Sequence, residues 1–201
     1  MVLTVRFAQN GIANSVLNYV SRLDPARVRC DLVSPNEPEA EARAAFERTG
    51  GRVFVLGGRN RNPISYIRRL SRIVRARQIE IVHAHGNSAT LYVEMRAASL
   101  GGAEVRIPHS HNTACKMKAA DRLLRRTFYK SYTRAFACSQ AAGEWLFPGL
   151  PFEVLNNAVD TERFCYSERT RGETRAALEI RADSFTVCHV GAFNEQKNQA
   201  F

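Results

Sequence analysis

The sequence has no run of eighteen or more apolar residues, so no segment reads as a membrane-spanning helix. It has no C-x-x-C pair and no Cys/His grouping at zinc-ligand spacing, which excludes the zinc-ribbon and finger classes. The five cysteines, Cys30, Cys115, Cys138, Cys165 and Cys188, are an odd number at wide spacing. Reduced thiols in a core or on strands are expected of them. There is no G-x-G-x-x-G, no internal repeat and no low-complexity tract. Residues 1–7 lack the basic flank and small-residue cleavage site of a secretion signal and read as a first strand, so a cytoplasmic location is expected.

One kind of charge is scarce in two places. Between Arg59 and Arg77 there are seven arginines and no acid, and between Lys116 and Arg134 seven Lys or Arg stand against Asp121 alone. Those two stretches carry 14 of the 29 basic residues of a chain whose formal charge is +10. A field of that sign attracts phosphate, on a nucleotide, an anionic lipid or a nucleic acid.

The 201 residues are enough to bury a core. Short apolar or β-branched runs at 2–7, 28–33, 53–56, 79–85, 104–109, 135–139 and 153–156 read as strands. Helical periodicity or composition marks 12–23, 39–48, 63–77, 88–100, 119–132 and 140–147 between them. Pro63 opens the third helix, with Ile64, Ile67, Leu70 and Val74 expected on its inner face, and Gly101-Gly102 closes the fourth. Strict alternation predicts an α/β fold, a doubly wound parallel sheet covered on both faces. The pattern restarts after Phe164 with a polar helix at 168–178, a strand at 184–190 and a helix beginning at Asn198. One strand and the start of a helix cannot bury a core of their own.

Ligands of such sheets sit outside the carboxyl ends of the strands, and four segments fall there. At Gln9-Asn10-Gly11 a glycine at a helix start would let an anion approach the backbone, or simply serve the turn. In Ile81-Val-His-Ala-His-Gly86, strand alternation puts His83 and His85 on one side; they suit sugar hydroxyls or proton transfer, or are core histidines. Ile107-Pro-His-Ser-His-Asn-Thr113 repeats the alternation with His109 and His111, and adds Ser110, Asn112 and Thr113. Four histidines suggest a metal, but the carboxylate that usually completes such a site is missing, so a polar substrate pocket and no metal are expected. In Val190-Gly-Ala-Phe-Asn-Glu-Gln-Lys-Asn198, Lys197 beside a helix start can offset a phosphate or be an ordinary surface lysine.

In this order the segments resemble the GT-B glycosyltransferases of the retaining family 4, which includes enzymes of capsule, exopolysaccharide and lipopolysaccharide assembly. The resemblance rests on Asn10 to Val20, Ile81 to Gly86, His109 to Thr113, Ala137-Cys-Ser139, Val154 to Phe164 and His189 to Asn198. It implies two Rossmann-like domains with the active site between them. Residues 1–164 would be the acceptor-side domain, and 165–201 the linker and incomplete start of the donor-nucleotide domain. It implies metal-free transfer of a hexosyl-type sugar from a nucleotide-sugar donor to a saccharide or lipid-linked acceptor, with retention. By position Gly11 would lie beside the donor phosphates, His111 near the transferred sugar, and Lys197 at the leaving diphosphate. His85, His109, Asn112 and Thr113 would line the substrate pocket.

Three departures stand out. Ala192 replaces the family's usual arginine, and Asn10-Gly11 replaces the usual Gly-Gly. The E-x7-E segment that holds the donor would lie beyond Phe201, so the chain is expected to be an incomplete and inactive fragment. The resemblance also implies that basic helices of the first domain, 59–77 and 116–134, rest on an anionic membrane at its cytoplasmic face; a basic outer face on an ordinary covering helix is the alternative. A non-catalytic basic module binding nucleic acid or anionic lipid is the competing reading. The aromatics sit mostly at core-facing positions, which argues against a nucleic-acid partner.

Overall fold

In the computed structural model every residue is described except 4, 5, 9, 192, 194–197 and 199–201, with Leu3 described by its backbone alone. The chain divides into two compact units, Met1–Val159 and Asp160–Phe201.

The first unit carries seven parallel strands in the order β3-β2-β1-β4-β5-β6-β7. They are β1 (Val2–Leu3), β2 (Leu32–Ser34), β3 (Val53–Val55), β4 (Ile81–Gly86), β5 (Val105–Ser110), β6 (Phe136–Ala137) and β7 (Glu153–Val154). The chain builds outward from β1 to β3, then returns through a helix to place β4 on the other side of β1. The order therefore reverses between β1 and β4, where an open α/β sheet leaves a crevice at its carboxyl ends.

Helices α1 (Gly11–Val20) and α2 (Ala40–Glu47) cover one face. Their core there is Phe7, Val16, Val20, Leu32 and Phe46. The other face takes α3 (Pro63–Ala76), α4 (Tyr92–Gly101), α5 (Lys118–Phe128) and α6 (Gln140–Leu146) around Val33, Leu70, Val74, Val82, Ala84, Met95 and Phe147. Two glycines end α4 for different reasons. A Cβ on Gly101 would stand 2.5 Å from Val74 Cβ, so its absence lets α3 and α4 approach closely. Gly102 has φ 96°, the left-handed cap that a side chain disfavours.

The inner face of α3 differs from the expectation at one position. Tyr66, Leu70 and Val74 are buried, whereas Ile64 is 63% exposed. Ile64 lies in the first turn, before the helix reaches the sheet, and Tyr66 fills the place its period suggested.

The second unit contains α7 (Glu168–Ala177), capped by Ser167 Oγ accepting from the Thr170 amide at 3.2 Å. No residue of α7 is buried. The expected strand at 184–190 is not formed. A strand exists through its ladder partners, and none is present among the described residues of this unit. The helix expected from Asn198 onward lies outside the described residues.

Candidate active site

Helix α1 begins at Gly11, directly after the connection from β1. Asn10 caps it, its Oδ1 accepting from the Ala13 amide at 3.0 Å while its Nδ2 donates to the Arg6 carbonyl at 2.9 Å. The first turn carries no acid, so nothing there offsets the positive end of the helix dipole. A Cβ on Gly11 would meet nothing within 4 Å, and its φ lies outside the left-handed region. Among the described residues, neither packing nor backbone conformation requires glycine at 11.

The four histidines come together on the α1 face of the sheet. Register places His85 opposite His109. Across the strands, His83 Nε2 meets His109 Nδ1 at 3.0 Å, and His85 Nδ1 meets His111 Nε2 at 2.8 Å. In each pair the ring centres stand 5.1 Å apart, which is the N···N distance plus the two ring radii. The rings of a pair therefore meet edge to edge, in line. Along each strand the rings stack instead, His83 on His85 at 4.3 Å and His109 on His111 at 4.1 Å. The result is a block of two hydrogen-bonded imidazole dimers laid face to face. Phe136 of β6 closes one side, edge-on to His83 and His109.

Burial keeps the block uncharged. It lowers His83 from the ordinary imidazole value to about 3, His109 to about 2 and His111 to about 4, and it holds His85 well below that ordinary value. For the first three rings the neighbouring charged or imidazole groups add at most to this cause. At neutral pH each ring offers one N–H and one lone pair.

One ring nitrogen from each of His83, His85 and His109 lies within 4.8 Å of the others, a spacing that taken alone would admit a cation. Four of the block's ring nitrogens are already in contact in pairs, His83 Nε2 with His109 Nδ1 and His85 Nδ1 with His111 Nε2, while Nε2 of His85 and of His109 lies outside these two contacts. A cavity of about 500 Å³ runs under α1, past Val16, Tyr19 and Ile81, and ends against His83, His85 and His109. Its lining also includes Met1, Arg27 and Arg77, near the amino ends of the strands.

His85 and His109 are only 3% and 2% exposed, each with Nδ1 against another imidazole. His111, Asn112 and Thr113 follow β5, the first two half-buried and Thr113 exposed. The His111 amide donates to the Gly86 carbonyl at 3.0 Å, extending the β4–β5 ladder by one residue. Asn112 Oδ1 accepts from the Thr113 amide at 2.8 Å. Lys197 and Ala192 lie outside the described residues.

Several further residues hold the segments that follow the strands, and none of them had a functional role legible in the sequence. Asn87 Nδ2 donates to the Ala114 carbonyl at 2.5 Å, and Trp145 Nε1 donates to the Asn87 carbonyl at 3.1 Å. Buried Asp121 accepts from the Ala89 amide at 2.7 Å and from Arg125 Nε at 2.8 Å. Its being the single acid among seven bases was the available signal. From α1, Asn18 Nδ2 donates to the Ala158 carbonyl at 2.7 Å and Tyr19 Oη to the Asn156 carbonyl at 2.6 Å.

Comparison with known proteins places these features in company. The model of the family described as Glycosyltransferase Family 4 matches residues 9–163. A putative glycosyltransferase, EpsF of Bacillus subtilis (strain 168), is 30% identical over 206 residues, covering 96% of this chain and 53% of that protein. Crystal structures of Anabaena HepE, one with UDP and glucose and one with UDP, superpose with TM-scores of 0.65 and 0.64. Both are 14% identical, covering 88% and 89% of this chain and 49% of theirs. The likeness to HepE concerns the fold. The chain spans about half the length of these relatives.

Proposed function

The chain belongs to glycosyltransferase family 4, and from that premise we propose that it forms the acceptor side of a retaining, nucleotide-sugar-dependent transferase. Residues 1–164 act as the acceptor-side domain and 165–201 as the start of the donor side. The enzyme moves a hexosyl-type sugar to a saccharide or lipid-linked saccharide in surface polysaccharide synthesis, at the cytoplasmic face of the membrane. That HepE has been solved with UDP and glucose supports a nucleotide-sugar donor.

The observation that carries the reading is a neutral His111 just past the carboxyl end of β5, in the sheet half that adjoins the switch point. A neutral imidazole can hydrogen-bond a sugar hydroxyl without adding charge where an oxocarbenium-like centre develops. Gly11 supports a donor phosphate at the α1 terminus, because nothing else among the described residues asks for a glycine there. Asn112 and Thr113 contribute to the acceptor pocket, and Lys197 offsets the leaving diphosphate. No metal takes part in the transfer. The helix of the second unit buries none of its residues, which supports the reading that the 201 residues alone do not transfer sugar.

Transfer assayed in the protein carried to its full coding length tests this. His111→Ala is expected to lower kcat about a hundredfold. A chelator should leave the rate unchanged, and the product should keep the donor's anomeric configuration. Undiminished kcat in the His111 variant would remove the assignment.

The basic helix α5 supports a peripheral membrane contact in a narrower form than its sequence suggested. Phe128 is buried, and Leu124 and Tyr132 pack against the core. Leu123 remains 80% exposed and Met117 45%, among Lys118, Arg122, Arg126 and Lys130. Arg122→Glu with Arg126→Glu should weaken co-sedimentation with phosphatidylserine vesicles by at least tenfold, as two charges near an anionic surface are worth about 1 kcal/mol each. Equal binding of the unaltered chain to neutral vesicles would remove the contact.

A further inference from the structure

Resting on that reading of His111, we infer that His85 is a positioning residue: it occupies Nε2 of His111, so that Nδ1 is the ring nitrogen presented to the substrate, in a single tautomer. A neutral imidazole has one donor nitrogen and one acceptor nitrogen, so whichever role Nε2 takes towards His85 leaves the opposite role to Nδ1. The 2.8 Å contact with His85 Nδ1 takes Nε2 of His111. Nδ1 of His111 makes no hydrogen bond among the described residues, and it is not among the buried polar atoms that lack one. It is the atom left for a hydroxyl.

The geometry gives His85 no freedom to turn away. Its ring is stacked on His83, and His83 is held in line by His109 with the two planes only 7° apart. The register of β4 on β5 sets His85 beside His109, and the His111 amide is tied to the Gly86 carbonyl. His111 is thus clamped on three sides, by stacking on His109, by the in-line contact to His85 and by its backbone. His85 would then act on the substrate through His111 and not by direct contact.

The test is ring-nitrogen NMR of the histidine-labelled 201-residue chain, in which long-range proton–nitrogen correlations report each tautomer. His111 is expected as one tautomer in the unaltered chain. His85→Phe keeps an aromatic ring and its stacking at a somewhat larger volume but removes the nitrogen, and His111 should then populate both tautomers. His85→Asn sets an amide near the place of Nδ1 and should restore one. If His85 merely fills space, the order reverses: Phe preserves the single tautomer and Asn does not. That outcome, or two tautomers in the unaltered chain, would overturn the inference. Because no sugar transfer is measured, failure here is distinct from failure of the transferase reading. In the full-length enzyme His85→Phe should lower kcat about tenfold with the donor KM unchanged, and His85→Asn should recover most of it.

Discussion

Lowering the pH from 7.5 to 5.5 is expected to destabilise the first unit by several kcal/mol, well before its carboxylates protonate. The cause is the imidazole block. In the unfolded chain each histidine takes up a proton near pH 6.5, whereas in the folded chain His83, His109 and His111 resist it down to about 3, 2 and 4, because burial disfavours the charged ring. Between those values the unfolded state binds more protons, so stability rises with pH and falls on acidification. The contribution is complete above about pH 6.5 and shrinks by about 1.4 kcal/mol per pH unit for each histidine that stays neutral in the fold. Urea unfolding followed by the fluorescence of Trp145, the only tryptophan, reports this unit directly. A midpoint that does not move between pH 7.5 and 5.5 would mean that the histidines are not held neutral by burial.

Glu94→Leu is expected to cost about 3–5 kcal/mol, the range for stripping one partner from a buried ion pair. Glu94 is fully buried and Arg59 is 10% exposed in its side chain. Arg59 Nε and Nη2 reach the two Glu94 oxygens at 2.6 and 2.8 Å, and Nη2 also donates to the Thr90 carbonyl at 2.7 Å. Removing the carboxylate leaves a largely buried guanidinium without its counter-charge and loosens the turn that follows β4, which carries His83 and His85. The double variant Arg59→Leu, Glu94→Leu should recover much of the loss, since no charge is left unpaired. The pair Arg169–Glu173, 79% and 61% exposed, supplies the contrast: its removal should stay below about 1 kcal/mol. A Glu94→Leu loss as small as that would show that the pair is effectively solvated.

The elements themselves were largely legible in the sequence, because periodicity and capping act within a few residues. Pro63 behind Asn62 opens α3, Ser139 caps α6, and Gly102 ends α4, each by chemistry confined to one turn. The same locality explains the misreadings. Ile64 fits the inner period of α3 but lies too early in the helix to reach the sheet. Residues 184–190 have the composition of a buried strand and no ladder partner among the described residues, and composition cannot supply one.

The candidate site divides along the same line. Alternation within β4 and β5 put His83 with His85 and His109 with His111 on one side of each strand, and the carboxyl-end rule put them near a crevice. Both follow from sequence alone, since they depend on a period of two and on strand direction. Which imidazole meets which was decided by the tertiary structure. Partners lie 26 residues apart, and the pairing of His83 with His109 and of His85 with His111 exists only in the register that sets His85 beside His109. A one-residue slip would send the histidines of one strand to the opposite face. Burial was settled there as well, and with it the neutral state of His111, because desolvation is a property of everything packed around a ring and of nothing in its own short segment.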